Sequence, residues 1–284
     1  MSFGSMENSK TSRAVQIAQA RSSRVGSSQY AGRAHTLLER SALAFRNSAW
    51  LAVLSGFLEP VLYLVSFGYG LGHLIGHITL PGGRAVSYAM FIAPGLLATS
   101  AMNGAIYDST WNVFFKLKHD RIYQGMLQTS LGPLDVALGE IMWALLRGFA
   151  YACGFMCVVV PMGLIKSAWG VLAIPAAVLI AFGFASLGMG ITSCFKSYQQ
   201  MDFINIALLP MFLFSGSFYP LTVYPGYLQG IIKALPLWQA IDLERNLTLG
   251  IISRGDLIHL CYFIVMIAIG LTVTTKRLTK LFLR

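Results

Sequence analysis

The chain has 284 residues, of which 56% are hydrophobic and 11% are charged, and its mean hydropathy is +0.64. An ordinary soluble domain carries roughly 25% charged residues, so this composition excludes a soluble protein and indicates a polytopic membrane protein. Its 21 Lys and Arg outnumber its 11 Asp and Glu. In a membrane protein such an excess reports orientation rather than nucleic-acid binding, because basic residues collect in cytoplasmic loops. We therefore expect no nucleic acid among its partners.

The first 49 residues divide into two parts. Residues 1–29 are polar and rich in Ser and Arg, without the apolar run and cleavage site of a signal peptide, and a disordered cytoplasmic tail is predicted. In residues 30–49, leucines such as Leu37 and Leu43 recur with basic residues such as Arg40 at helical spacing. This pattern predicts an amphipathic helix on the cytoplasmic membrane surface, with a solvated linker as the alternative.

Residues 50–284 carry the membrane domain. A helix needs about 20 mostly apolar residues to cross the hydrocarbon core. This criterion predicts an all-α integral membrane protein with six transmembrane helices, at Trp50–Leu71, Tyr88–Val113, Val136–Ile165, Val171–Cys194, Phe203–Phe218 and Leu257–Thr275. The segment between the fifth and sixth spans has aromatic residues, prolines and helical pieces too short to cross a bilayer.

The positions of Lys and Arg predict the orientation. The side of the membrane that holds the two chain ends carries fifteen of them, against five on the other side. The five are Arg84, Lys166, Lys233, Arg245 and Arg254. By the positive-inside rule, both termini are cytoplasmic and residues 218–256 face outward.

Charged residues within the predicted spans are candidates for function, because each is costly in hydrocarbon and needs a partner or water. Glu59 lies midway in the first span and Asp108 toward the cytoplasmic part of the second. Glu140 and Arg147 are seven residues apart, about two turns, so they share one face of the third span. They form either a polar path or a set of ion pairs that lock the helices together, and the sequence leaves both interpretations open.

Motifs for enzymatic chemistry are missing from the sequence. We find no phosphate-binding loop, and no HExxH or GxSxG motif. His73 and His77 are predicted to share a helical face, but without a third ligand they do not make a metal site. We therefore expect no catalytic residue, metal or cofactor in this chain.

Three stretches carry a resemblance to a known family. They are FLEPVLYLVSFGYGLG at Phe57–Gly72, DRIYQGMLQTSLGPLDVALGE at Asp120–Glu140, and SGSFYPLTVYPGYLQGIIKALPLWQAIDLERNLTLG at Ser215–Gly250. With the order of the spans, they resemble the membrane subunit of type-2 ABC exporters, in the branch that includes the nodulation lipooligosaccharide and daunorubicin-resistance permeases. The resemblance extends from about Tyr30 to the end of the chain.

The resemblance implies a contact with a separate ATP-hydrolysing subunit, which would hold ATP and Mg. In such permeases a short cytoplasmic helix after the second span, the coupling helix, docks on that subunit. The matching residues are Asp120, Arg121, Ile122, Tyr123, Gly125, Met126 and Leu127. The amphipathic helix before the first span would touch the same subunit.

The resemblance also implies a role for the segment after the fifth span. In such permeases, short helices at this position re-enter the outer leaflet and cap the translocation path. We name this segment the outer gate. Its residues in this chain are the aromatic residues Phe218, Tyr219, Tyr224 and Trp238, with Pro220, Pro225 and Pro236 as helix breaks.

The expected function is therefore the permease of an ATP-driven exporter in the bacterial cytoplasmic membrane. Two copies, or one copy and a paralogue, would form a path for an amphipathic drug, lipid or lipid-linked glycan. Glu59, Tyr63 and Asp108 would line that path, with Glu140 and Arg147 in the same polar network. One alternative is an ion-coupled secondary carrier, with Glu59, Asp108 or Glu140 as proton sites. The other is a membrane-embedded assembly or anchoring protein.

Overall fold

The computed structural model describes residues 32, 34–45, 58–80, 83–120, 122–128 and 131–282. The predicted tail at residues 1–29, the predicted start of the first span and Arg121 lie outside these residues. The helices are α1 (Ala34–Phe45), α2 (Leu58–Ile75), α3 (Tyr88–His119), α4 (Ile122–Leu127), α5 (Pro133–Val159), α6 (Ala173–Cys194), α7 (Asp202–Phe214), α8 (Gly226–Ala234), α9 (Pro236–Leu249) and α10 (Gly255–Phe282). Short 3-10 turns at Ala168–Leu172, Tyr198–Met201 and Leu221–Val223 precede α6, α7 and α8.

Five helices in the described part of the chain are long and apolar enough to cross a membrane: α2, α3, α5, α6 with its preceding turn, and α10. They correspond to the predicted spans other than the fifth, and the all-α membrane class is confirmed. The predicted fifth span is the 13-residue α7. A helix of that length rises about 20 Å, less than the ~30 Å of the hydrocarbon core. Helix α7 alone therefore does not cross the core.

Several predicted span boundaries shift: the third span ends at Val159 rather than Ile165, and the last runs from Gly255 to Phe282 rather than from Leu257 to Thr275. Helix α5 begins at Pro133 rather than Val136, because proline is favoured in a first turn and the Asp135 carboxylate accepts a 2.9 Å hydrogen bond from the Gly132 amide. Helix α3 continues past the predicted end at Val113 to His119. The extension contains a π-helical segment, Phe115–His119; another lies just before it at Asp108–Asn112, and a third lies in α2 at Ser66–Leu71. Such segments are rare and are often found at functional sites.

Helix α3 lies at the centre of the bundle, and most of its side chains are buried against α5, α6 and α9. Helices α6 and α10 run parallel, since Gly183 faces Phe263 and Gly190 faces Gly270. Gly270 lies so close to α6 that a Cβ added to it would come within 2.4 Å of the Ser186 carbonyl carbon. Small residues permit this approach, which is how membrane helices gain packing contacts.

A short β-hairpin follows α2, and the sequence did not predict it. Strand β1 (His77–Thr79) pairs antiparallel with β2 (Ala85–Ser87). Gly76, with φ +71°, ends the helix before β1. The prediction that His73 and His77 share a helical face is therefore wrong, because one lies in α2 and the other in a strand.

Helices α8 and α9 fill the space between α7 and α10. Helix α7 ends at Phe214, and Gly216 turns the chain with φ +76°. Pro225 directly precedes α8 and Pro236 is the first residue of α9, which are positions where proline fits because no intrahelical N–H bond is lost. Helix α9 is largely buried against α3, α6 and α10. Helix α9 is therefore packed into the bundle, whereas α8 is mostly exposed and Ile232 is its one buried residue. Both helices are too short to cross a bilayer, as the sequence predicted for this segment.

Candidate transport cavity

A cavity of about 740 Å³ opens between α2, α3, α5 and α7. Its lining is mixed, with apolar and aromatic side chains beside polar ones. The lining residues are Glu59, Pro60 and Tyr63 of α2; Leu96, Thr99, Ser100, Met102, Asn103, Gly104, Ile106, Tyr107 and Trp111 of α3; Arg147 and Tyr151 of α5; and Asn205, Leu208, Leu209 and Phe212 of α7. The cavity is open on one side, where Glu59, Asn103 and Asn205 are exposed.

A buried ion pair supports the cavity wall. Arg147 Nη1 of α5 lies 2.8 Å from Asp108 Oδ1 of α3, and both side chains are almost inaccessible. Asn112, one turn further along α3, donates a 3.2 Å hydrogen bond to the same carboxylate oxygen. The carboxylate thus compensates the charge of Arg147 where that side chain reaches the cavity.

A second ion pair lies two turns away, toward α4. Lys116 Nζ of α3 is 2.7 Å from Glu140 Oε2 of α5. Glu140 does not line the cavity. The shared face of Glu140 and Arg147 is as predicted, and each of the two residues pairs with α3.

Helix α4 is attached to this second pair through Tyr123. The Tyr123 side chain is fully buried and lies beside Glu140. Burial, and next the negative charge of Glu140, hold the pKa of Tyr123 well above its usual value, so the phenol stays neutral. Helix α1 joins at the same place, where Leu37 packs against Gly139. Helices α1, α4 and α5 therefore meet around one buried group of side chains.

The opposite face of α4 is free in the described part of the chain. Gln124 and Gly125 are exposed, and a Cβ added to Gly125 would contact nothing. Asp120, just before the helix, is also exposed. Ile122 and Met126 are half-buried, while Leu127 is buried with Tyr123. The six-residue helix thus has one face in the bundle and one face toward solvent.

Two of the lining residues, Tyr63 and Phe212, belong to an aromatic cluster. Tyr63 stacks on Phe67 of α2 with ring centroids 5.8 Å apart, and Phe67 lies edge-on to Phe218 at 5.3 Å. Phe212 of α7 completes the cluster, 5.2 Å from Phe218 and 6.5 Å from Tyr63. Edge-on and offset contacts of this kind are favourable between aromatic rings. The cluster joins α2 and α7 to the turn that follows α7.

Arg245 of α9 holds that turn in place, a role that its sequence position, among the outer basic residues, does not indicate. Its guanidinium donates hydrogen bonds to the carbonyl oxygens of Gly216, at 2.9 Å, and Phe91, at 3.4 Å. It also lies 4.0 Å from the centre of the Phe91 ring, a cation–π distance. Burial lowers the pKa of Arg245 to about 10, so it remains charged at neutral pH. Arg245 therefore ties α9, the turn after α7 and α3 together.

The other outer-gate residues lie around this turn. Tyr219 lies edge-on to Phe218 with ring centroids 6.5 Å apart, and Tyr224 contacts Phe214 with ring centroids 6.2 Å apart. Trp238 of α9 contacts the ring of His259 on α10. Pro220 precedes the 3-10 turn before α8. None of these residues lines the cavity, and only Phe218 is part of the aromatic cluster.

The structure therefore brings Glu59, Tyr63 and Arg147 into one cavity. Asp108 does not line the cavity but forms an ion pair with Arg147. Sequence reasoning missed Asn103 and Asn205 on the cavity walls. A signal for one wall was present, since Thr99, Asn103 and Tyr107 recur every four residues in an apolar helix and so share a face. No cluster of three or more metal-binding side chains occurs in the described ranges.

Comparison with known proteins gives a consistent result. The family described as "ABC-2 type transporter" matches residues 33–249. "Nodulation protein J" of Rhizobium leguminosarum bv. viciae is 30% identical over 246 residues, covering 86% of this chain and 93% of the relative. The protein of the same name in Rhizobium leguminosarum bv. trifolii is 33% identical over 212 residues, 74% of this chain and 79% of the relative. "Inner membrane transport permease YadH" of Escherichia coli is 25% identical over 199 residues, 68% of this chain and 74% of the relative.

Proposed function

This chain belongs to the ABC-2 type transporter family, and on that basis we propose that it exports an amphipathic substrate through a path formed between two such subunits. It is a transport subunit of the bacterial inner membrane, and a separate subunit hydrolyses ATP. The substrate class, the pairing of subunits, the direction of transport and the contacts with the ATPase are parts of the proposal.

The cavity between α2, α3, α5 and α7 is the observation that carries the proposal. Its volume of about 740 Å³ is within the range of ligand sites, roughly 300–1,000 Å³. Tyr63 and Phe212 offer aromatic surface for a lipid or ring system, while Glu59, Asn103 and Asn205 offer hydrogen-bonding groups for a polar head. A drug, a lipid or a lipid-linked glycan has both parts.

The open side of the cavity supports pairing with a second copy or a paralogue. Helices α2 and α7 border the opening, and most of their side chains are exposed in the single chain. Polar groups such as Glu59 and Asn205 are unfavourable in lipid. A second subunit packed against α2 and α7 would cover these helices and enclose the cavity as a path.

Helix α4 is proposed as the contact with the ATPase subunit. Its exposed face, with Asp120 beside it, is available for docking, and its buried face reaches Glu140 through Tyr123. A displacement of α4 would therefore be transmitted to α5, which also carries Arg147 in the cavity. ATP and Mg would be held by the partner, and the coupling would require different affinities for substrate in the two states of the bundle.

The first test is affinity purification of the tagged chain from its native membrane. A co-purifying protein with a phosphate-binding loop, whose ATP hydrolysis depends on this chain, is the expected result. A chain that purifies alone and shows proton-coupled flux dependent on Glu59 would instead identify a secondary carrier.

The second test addresses the coupling helix. In the reconstituted complex, Asp120→Lys, Arg121→Glu and Gly125→Pro should separate ATP hydrolysis from transport while membrane insertion is unchanged. Lys276→Glu is the matched control, since Lys276 is an exposed charge on α10, outside α4. Normal transport by all three variants would remove α4 from the coupling role.

A further inference from the structure

A second cavity lies in the bundle and shares no lining residue with the transport cavity. It is a groove of about 680 Å³ between α6, α9, α10 and the 3-10 turn before α6. Leu243 and Leu247 of α9 form its floor, and Leu172, Leu179 and Leu257 form its sides. We refer to it as the α6–α10 groove.

One end of the groove carries polar groups and an aromatic residue. Arg254 and Ser253, just before α10, are exposed there beside Trp169, which is 55% exposed. Because α6 and α10 run parallel and both begin at this end, the residues lie where two spans enter the membrane. An exposed tryptophan at such a level is typical of the interface between headgroups and acyl chains.

The two charged side chains at this end differ in exposure, since Asp256 is buried and Arg254 is exposed. Asp256 also lines the groove, but its two carboxylate oxygens accept 2.7 Å hydrogen bonds from the Asn246 side chain and the Ser253 amide. Within the described part of the chain, the guanidinium of Arg254 has no hydrogen bond or ion pair. The entrance therefore offers a free cation above an apolar groove.

We propose that the α6–α10 groove binds a membrane phospholipid with an anionic headgroup. The phosphate lies at Arg254, and one acyl chain lies along Leu172, Leu257 and the floor leucines. Arginine suits this role because the N–H groups of its planar guanidinium can donate two parallel hydrogen bonds to phosphate oxygens. Under the proposed orientation, the lipid belongs to the outer leaflet.

The proposal separates this lipid from the transported substrate. The faces assigned to the second subunit are those of α2 and α7, whereas the groove is made by α6, α9 and α10. Leu243 and Leu247 lie on α9, the helix that carries Arg245. A lipid in the groove would therefore support the helix that holds the turn after α7.

The test uses the full chain, purified in neutral detergent and stripped of lipid. Phosphatidylglycerol and phosphatidylcholine of matched acyl chains are added separately, and bound lipid and Tm are measured by native mass spectrometry and thermal unfolding. The variants are Arg254→Gln and Ala176→Leu, which fills the groove wall. Lys233→Gln is the matched control, because it removes an exposed charge from the neighbouring α8 outside the groove.

We expect the unmodified chain to bind phosphatidylglycerol about tenfold more tightly than phosphatidylcholine. Both lipids carry the phosphate, but only phosphatidylglycerol keeps a net negative charge beside Arg254, because the choline ammonium cancels that charge in phosphatidylcholine. Arg254→Gln should abolish this preference and Lys233→Gln should retain it. Ala176→Leu should weaken the binding of both lipids. Equal binding of the two lipids, or an unchanged preference in Arg254→Gln, would overturn the proposal.

Size-exclusion chromatography checks that each variant is folded and reports its oligomeric state. If Arg254→Gln changes the number of subunits, the groove is a contact between copies rather than a lipid site, and the proposal fails. If Ala176→Leu does not fold, the comparison of Arg254→Gln with Lys233→Gln still decides the outcome, since both residues are exposed.

Discussion

Removal of one charge from the Asp108–Arg147 pair tests whether the cavity wall is held by electrostatics. At 2.8 Å, two unit charges attract by about 6 kcal/mol for an effective dielectric constant near 20. The cost of desolvation offsets much of this attraction. Loss of one partner leaves the other charge buried, and the expected penalty is about 3–5 kcal/mol. For a chain of this size, that corresponds to a fall of roughly 10 °C in Tm.

The assay is a double-mutant cycle measured by thermal unfolding in detergent. Asp108→Leu and Arg147→Met should each destabilise the chain, whereas the double variant should unfold within about 1 kcal/mol of the unmodified chain, because neither charge is then left unpaired. Asn112→Ala is the control, since it removes the second hydrogen bond to Asp108 and keeps the ion pair. A double variant with a Tm as low as that of the less stable single variant would refute this reasoning.

Transport by a stable double variant then separates the two interpretations that the sequence left open. If the charges take part in substrate passage, as proposed, the double variant folds and does not transport. If they only lock α3 to α5, the double variant transports normally, and Arg147 would be withdrawn from the transport path.

Three further outcomes follow from buried residues. Glu244 is fully buried, its carboxylate has no hydrogen-bond partner among the described residues, and burial raises its pKa well above the usual value. The Glu244 carboxyl therefore loses its proton near pH 4.5 in the unfolded chain but keeps it in the folded chain. The free energy of unfolding should then fall by up to about 1.4 kcal/mol per pH unit above that pH. Glu244→Gln should remove this slope between pH 5 and pH 7, and an unchanged slope in thermal unfolding would contradict a neutral, buried Glu244. Arg245→Gln should lower Tm by an amount equivalent to about 3 kcal/mol, as two hydrogen bonds to carbonyls and a cation–π contact are lost; Arg254→Gln, at an exposed site, should leave Tm without added lipid nearly unchanged. Gly270→Leu should separate α10 from α6 and reduce folded yield in size-exclusion chromatography, whereas Gly230→Leu on α8, where a side chain would meet nothing, should fold normally.

The membrane class and most spans were predictable because they depend on local hydropathy. A run of apolar residues such as Tyr88–Val113 determines a crossing helix almost independently of its neighbours. Proline positions also predicted breaks correctly, since Pro225 and Pro236 remove backbone donors wherever they occur. Such signals need no knowledge of which helices touch.

The site was predictable only in part because it depends on which helices are neighbours. The sequence indicated that Glu140 and Arg147 share a face, but their partners Lys116 and Asp108 come from another helix and only the packing selects them. Arg245 shows the same limit. Counted along the chain it is a loop cation, and its role in holding Gly216 follows from the burial of α9 against α3.

The open cavity has a consequence for how the complex is made in the cell. Glu59 and Asn205 lie on the unpaired side of a single chain, and a carboxylate in hydrocarbon costs about 2.5–3.5 kcal/mol on insertion scales. An unpaired subunit is thus unfavourable in the bilayer because polar side chains face lipid, even when its own helices are correctly folded. If a second subunit covers this side, as proposed, removal of these polar groups from lipid would favour the pairing, and unpaired copies would be the less stable population exposed to proteolysis.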